Sequence, residues 1–366
     1  MKRLKSYQAG RSISQVKREL GLKKVIKLAS NESPYPPVAN IISALEEKLS
    51  LVNRYPGEGA LLKQKLATLL RVSPENLLLG HGSNEIIRLF AQTVLNPGEE
   101  VIVPAPSFAL YPRIVEIFEG RVIKVPLNGH RLDLKATKAA ISDKTKIIFI
   151  CNPNNPTGTI VKRDEIEVFL KSVPQNVLVI FDEAYFEFVD DPNYSDSLGY
   201  FRPAISAAGG AVKIAILRTF SKIYSLAGLR IGYAIAPSEL VSVANNIRDP
   251  HNVNSLAQAA ALAALDSPEE IEQRKRLNKE GKEFFYREFE GLRLSYVPSQ
   301  TNFVWLDVGR DSREVFRALL KEGVIVRTGE VFGEGCENFV RVTVGKPDEN
   351  KKFFQALSKV LKSSKS

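Results

Sequence analysis

An apolar run, residues 177–181, leads into Asp182-Glu183-Ala184-Tyr185, which sets a carboxylate and a phenol at the end of a buried strand. In open α/β sheets ligands bind off the carboxyl ends of strands. Asp182 is therefore either an acid facing a ligand or a plain cap of the next element. A second apolar run, residues 213–217, leads into Arg218-Thr219-Phe220-Ser221-Lys222, and Arg230 follows eight residues after the lysine. Two hydroxyls, an amine and a fixed cation are thus gathered at another strand end. A lysine taken alone is a solvated surface charge. One flanked by small hydroxyl residues, with an acid at a neighbouring strand end, is a candidate nucleophile or proton carrier. The stretch Leu79-Gly80-His81-Gly82-Ser83-Asn84-Glu85 reads as strand end, glycine turn and helix start. Backbone N–H groups and the helix dipole at such a start attract anions, although an ordinary tight turn has the same glycines. The fourth element, Cys151-Asn152-Pro153-Asn154-Asn155-Pro156-Thr157-Gly158, leaves a further strand end as a stiff loop with two prolines and three asparagines.

The elements that must position these groups follow from the pattern between them. Residues 76–79, 100–103, 121–125, 146–150, 177–181, 213–217 and 229–234 read as strands, continuously apolar as expected for strands buried on both faces. Helix-length segments such as 84–95 and 162–171 separate them. The alternation predicts an α/β fold: a large domain with a mostly parallel sheet flanked by helices. After about residue 237 the pattern changes. A helical region spans 239–265. Ser267-Pro268-Glu269-Glu270 then resembles a capped helix start with a capping-box glutamate, followed by short strand-like runs at 303–308, 324–326 and 340–344 and a closing amphipathic helix near 350–361. This predicts a smaller α+β C-terminal domain, with an N-terminal arm at 1–35, a large domain at 36–245 and the small domain at 246–366.

The composition narrows the function classes. The chain of 366 residues carries a net charge of +10, with lysines and arginines interleaved with acids except in the tail 359–366, which reads as a frayed, solvated end. No nucleic-acid-binding motif accompanies the charge. Two cysteines and three histidines have no metal-ligand spacing, so no metal is expected, and lone cysteines suit a reduced, cytoplasmic protein. Residues 1–10 have no apolar core of a secretory leader, and the most apolar helical stretch, 256–265, is too short to span a bilayer.

Pro153-Asn154-Asn155-Pro156-Thr157-Gly158, Asp182-Glu183-Ala184-Tyr185 and Ser221-Lys222-x-x-x-Leu226-Ala227-Gly228-Leu229-Arg230-x-Gly232-Tyr233, in that order, resemble the fold-type I pyridoxal 5'-phosphate (PLP) dependent aminotransferases, over about residues 31–345. The resemblance implies roles. Lys222 would hold the cofactor as a Schiff base and move the α-proton. Asp182 would pair with the pyridinium nitrogen so that the ring acts as an electron sink. Tyr185 would donate to the ring O3′ with Asn155 beside it, and Phe108 would stack on the ring. Gly82, Ser83, Asn84, Thr219, Ser221 and Arg230 would cradle the phosphate, Arg230 through charge-assisted bonds. Tyr55 would reach the phosphate of a neighbouring subunit, which requires a homodimer. Asn84, Phe108 and Ser225 depart from residues frequent in the family.

Three further segments, Asn31-Glu32-Ser33-Pro34-Tyr35-Pro36, Arg248-Asp249-Pro250-His251-Asn252-Val253-Asn254 and the stretch holding Arg327 and Arg341, resemble the histidinol-phosphate aminotransferase branch. That resemblance implies amino transfer between L-histidinol phosphate and 2-oxoglutarate. Arg327 and Arg341 would bind the substrate anions, with Tyr35 adding a hydroxyl to the phosphate. A positive field would steer such anions. The rival readings are an aromatic-amino-acid aminotransferase and a threonine-phosphate decarboxylase on the same frame. A DNA-binding regulator with an aminotransferase-like domain would need a helix-turn-helix domain ahead of it.

Overall fold

A computed structural model describes residues 10–206 and 212–363 of the chain. A short strand, β1 (Ile26–Lys27), opens the chain's sheet structure. A seven-stranded sheet follows, with β2 (Leu77–Gly80), β3 (Glu100–Ala105), β4 (Arg121–Pro126), β5 (Thr145–Cys151), β6 (Leu178–Asp182), β7 (Lys213–Thr219) and β8 (Gly232–Ile235). Its order is β2-β8-β7-β6-β5-β3-β4. Strands β3 to β7 pair in parallel, while β8 runs antiparallel to both neighbours, β2 and β7.

The continuous apolar runs have the cause inferred for them except at the edge strand β4, where Val125 alone is buried and Arg121 and Lys124 are exposed. Successive side chains of a strand point to opposite faces, and each face of this sheet has its own core. Along β5, Ile148 and Ile150 join one buried cluster, while Ile147, Phe149 and Cys151 join the other. Both faces are covered by helices, as a largely parallel sheet requires.

The last third of the described chain forms a second, antiparallel sheet. It is built from β9 (Tyr296–Val297), β10 (Phe303–Asp307), β12 (Arg327–Thr328) and β13 (Phe339–Thr343) in the order β12-β13-β10-β9. Between β10 and β12, β11 (Val324–Ile325) pairs in parallel with β1. The backbone N–H of Thr343 donates to Leu28 O at 2.8 Å, so residues 26–28 are knitted to this sheet. The first nine residues of the expected arm lie outside the described residues.

Several local expectations differ from the structure, each for a physical reason. The helical region 239–265 is two helices, Ser238–Ile247 and Ser255–Ala264, because Pro250 and its neighbours cannot continue the first. The second is capped by Asn254, whose side chain accepts from Ala257 N. The strand expected from 229 starts at Gly232, because a turn at Ala227–Leu229 ends in Arg230 with φ +58°. Helix Pro268–Gly291 starts with proline as read, but Ser267 makes no cap bond: its hydroxyl accepts from Asn40 Nδ2 at 2.8 Å, and Glu270 pairs with Arg274 instead. The tail is ordered further than read. Helix Pro347–Ser363 seats Phe353, Leu357 and Val360 in the core, and Lys359 pairs with Glu322 at 2.7 Å. Residues 364–366 lie outside the described residues. Among the described residues, no helix is long and apolar enough to cross a membrane.

Candidate active site

The parallel strands deliver their C-terminal ends to one rim. Asp182 ends β6, Cys151 ends β5 and Thr219 ends β7. The ends of β6 and β7 are braced together by residues that the sequence reading passed over. Buried Arg218 donates through Nε and Nη2 to Glu183 Oε2 at 3.0 and 2.8 Å, and Glu183 Oε1 accepts from Ser197 N at 2.9 Å. Two guanidinium N–H groups converging on one carboxylate oxygen restrict orientation as well as distance, so Asp182 and the Thr219–Lys222 turn are held in register.

These ends open on a cavity of about 270 Å³. Ser83, Asn84, Thr219, Ser221 and Arg230 line one part of it, and Phe108, Asn155, Asp182, Tyr185 and Lys222 line the rest. At the first end Gly82, with φ +74°, begins helix Ser83–Val94. A Cβ on Gly82 would stand 2.6 Å from Arg230 Nη2, so only glycine lets the guanidinium lie against the turn. Arg230 Nη1 donates to Ala227 O at 2.9 Å, and Ser221 N donates to Thr219 Oγ1 at 3.1 Å. Helix N-terminus, hydroxyls and arginine together make a cup for a dianion.

At the other end Asp182 is 5% exposed. Its Oδ2 accepts from Tyr111 Oη at 2.6 Å and its Oδ1 from Ala184 N at 3.2 Å. Burial raises the Asp182 pKa, while Tyr111, the Ala184 amide and Lys222 pull it back. Tyr111 is itself fully buried and stacked on Phe149 at 4.2 Å. It was missed because a tyrosine inside an apolar helix reads as core. Its ring meets that of Phe108, which precedes the helix Leu110–Ile117, edge to face at 5.4 Å.

The Lys222 amine lies between the two ends, with Ser30 O at 3.4 Å. Burial, then Arg341 and Arg230, push its pKa down to about 7 against the pull of Glu32 and Asp182. Burial pushes the Cys151 thiol up to about 12, which leaves it unreactive. An anion cup, an amine whose pKa is lowered to about 7 and a buried carboxylate line one cavity, and that set of groups fits a phosphate-bearing aldehyde such as PLP.

A second cavity of about 220 Å³ adjoins the first and shares Asn84, Phe108, Asn155, Tyr185 and Lys222 with it; Arg327 and Arg341 also line it. The two arginines are cross-strand partners on β12 and β13. Arg341 donates to Asn155 Oδ1 and to Ala29 O, the latter at 2.8 Å, and its guanidinium lies 5.3 Å from the Phe303 and Phe332 ring centres.

Two expected residues are not brought into these cavities. Tyr35 lies in a separate small recess with Arg274 and Asn302. Burial first, then Glu280, Glu349 and Asp348, raise its pKa. Arg274 in the same recess and the Lys346 ammonium, 5.8 Å from the Tyr35 ring centre, make its surroundings mixed in charge, and the recess is separate from the Lys222 cavities. Tyr55 is 86% exposed and stacks on His251 at 4.8 Å. The segment 248–254 acts as its buttress: Arg248 pairs with Glu58, His251 Nδ1 meets Pro56 O at 2.8 Å, and Asn252 Nδ2 donates to Glu85 Oε2 at 2.7 Å beside the glycine turn.

A lysine, a buried acid and an anion cup on strand ends of this sheet define a PLP transferase, and the chain belongs to the class I and II aminotransferase family, whose model matches residues 23–357. Its cofactor is PLP. Histidinol-phosphate aminotransferases of Moorella thermoacetica and Caldicellulosiruptor saccharolyticus are each 47% identical to it, over 98% of this chain and 91% of the former, and 97% of both for the latter. The solved histidinol-phosphate aminotransferase of Sinorhizobium meliloti in complex with PLP superposes with a TM-score of 0.88 at 25% identity, over 97% of this chain and 95% of that one.

Proposed function

We propose that the chain transfers an amino group between L-histidinol phosphate and 2-oxoglutarate, in histidine biosynthesis, with residues 36–245 holding PLP and 246–366 closing the substrate side. The observation that carries the substrate reading is the cross-strand pair Arg327 and Arg341 lining the second cavity, which also reaches Lys222. One substrate carries a phosphate and the other two carboxylates, and two guanidinium groups answer that need. The 47% identity to enzymes of that name supports the same choice over the aromatic rival.

When bound, PLP supplies an electrophilic carbonyl carbon and a ring that withdraws electron density from the substrate α-carbon. The chain's own residues do the rest. Lys222, with a pKa near neutrality, both accepts and returns the α-proton at working pH. Asp182 keeps a proton on the ring nitrogen. Tyr185 and Asn155 would hold the ring oxygen, Phe108 would cover one face, and Gly82, Ser83, Asn84, Thr219, Ser221 and Arg230 would bind the phosphate. Arg341 orients the α-carbon substituents so that the proton points at Lys222.

Arg341→Lys is expected to raise KM for 2-oxoglutarate by about tenfold to a hundredfold, because a point cation cannot replace a bidentate fork. Steady-state kinetics with histidinol phosphate, phenylalanine, tyrosine and threonine phosphate as donors test the substrate reading. Histidinol phosphate is expected to give the highest kcat/KM, and a better aromatic donor would overturn the assignment.

The working unit we infer is a cytoplasmic homodimer. Leu49, Leu51, Val52 and Leu61, all exposed and within six residues of exposed Tyr55 in the chain, are apolar side chains that suit burial against a second copy. With Tyr55 donated across the interface, a mixed dimer of Lys222→Ala and Tyr55→Ala chains holds one complete site. Mixing the two purified variants is expected to give more activity than either alone. No gain after proven subunit exchange would sink the donation of Tyr55.

A further inference from the structure

Asn31 stands between β1 and the large sheet, 1% exposed, with φ +55°. Its backbone N–H donates to Thr343 Oγ1 at 3.0 Å, and its carbonyl accepts from Asn302 Nδ2 at 3.1 Å. Its side chain continues the network: Thr343 Oγ1 donates to Asn31 Oδ1 at 3.2 Å, and Asn31 Nδ2 donates to Tyr185 Oη at 2.8 Å.

The placement of the Asn31 amide sets the direction of this chain of bonds. The Thr343 hydroxyl accepts the Asn31 amide N–H, and its single proton goes to Oδ1. The amide oxygen faces Thr343, and the NH₂ group faces Tyr185. An NH₂ group only donates, so the Tyr185 oxygen is an acceptor on that side. Its one proton is left for an acceptor on the cavity side.

We propose that Asn31 is a positioning residue for the transamination: it commits the Tyr185 hydroxyl proton to the cavity, and does so while residues 28–31 are seated on β13. The proposal rests on the reading that Tyr185 faces the ring oxygen of PLP. The other groups facing Tyr185 are Arg341 from β13, Cys151 and Asp182 at the ends of β5 and β6, and the Lys222 amine, 5.4 Å from its ring centre. Burial pushes the phenol up to about 12, opposed by Arg341 and by the Asn31 bond, so the hydroxyl keeps its proton at working pH and acts as a donor. A donor bonded to the phenol oxygen makes that proton a stronger hydrogen-bond donor in turn.

Asn31→Gly is the clean probe, because glycine tolerates the positive φ and keeps both backbone bonds while removing only the amide group. The readouts are the pH midpoint of the bound cofactor's absorbance, recorded without substrate, and the PLP dissociation constant. Tyr185→Phe is expected to move the midpoint up by more than about 1 pH unit. Asn31→Gly is expected to move it the same way by about 0.5 to 1 pH unit, as for one neutral hydrogen bond, and to weaken PLP binding about threefold. The double variant is expected to match Tyr185→Phe, since the two residues act in one chain. Thr343→Val, which frees the amide to turn, is expected to give a smaller shift of the same sign and covers the case that Asn31→Gly does not fold. A midpoint unmoved by Asn31→Gly while Tyr185→Phe shifts it overturns the proposal alone. So does an undiminished Asn31→Gly shift in the Tyr185→Phe background. A midpoint unmoved by Tyr185→Phe overturns the placement of the ring oxygen, and the proposal with it.

Discussion

Lys222→Ala is expected to lower kcat by about three to four orders of magnitude, the upper range for a positioned acid–base group. Stopped-flow single turnovers measure that loss. Borohydride followed by peptide mapping is expected to place the reduced PLP mass on the Lys222 peptide of the parent chain. A fixed cofactor on any other lysine would remove Lys222 from its role. The buried amine also predicts a stability effect in the cofactor-free protein. The folded pKa is about 7 against an ordinary 10.5. Below about 7 the amine is charged in both states and its burial cost is fully present. Between about 7 and 10.5 the unfolded chain binds the extra proton, so stability rises with pH, and above that window the cost is gone. Cofactor-free Lys222→Met should therefore melt higher than the parent near pH 6, with the gap closing as pH approaches 10.5.

The second large effect is expected from Asp182→Asn, a loss of about 10² to 10³ in kcat with a small change in KM. Asparagine fills the same space and still accepts from Tyr111 Oη, now at 2.6 Å from Asp182 Oδ2, but carries no charge to hold a proton on the ring nitrogen. Removing one partner of a buried charge pair commonly costs about 3 to 5 kcal/mol, and part of that falls on binding rather than on the chemical step. Steady-state kinetics and the PLP dissociation constant separate the two. A variant with parent-like kcat would show that the ring nitrogen needs no proton here.

The site residues on strand ends were legible because chemistry and local structure coincide there. Asp182, Lys222 and Gly82 each follow an apolar run that must be a buried strand, and the side chain at its end has one rim to face. Tyr111, Asn31 and Arg218 were not legible. Each acts through a partner far away in the chain, as Asn31 does across 312 residues to Thr343, and spacing carries no trace of that. Tyr35 shows the opposite case. Its segment was noticed through resemblance, but the carboxylates that surround it come from Glu280, Asp348 and Glu349, which only the fold brings close. The split of 239–265 into two helices was available from Pro250. The reversed direction of β8 was not, since an apolar run reads the same both ways.

That reversed strand has a consequence for how the protein comes into being. Because β8 runs against β2 and β7, its first residue, Gly232, sits opposite both Gly80 and Thr219. The anion cup proposed for the phosphate is closed at that meeting point, by residues from three strand ends. Asn76 on the approach to β2 bonds to Ala236 just past β8 across 160 residues of chain. Pairings of that reach carry a large loop-closure entropy and form slowly. A nascent chain therefore has no phosphate cup until its synthesis has passed β8, and cofactor capture belongs to the closing phase of folding rather than to its start.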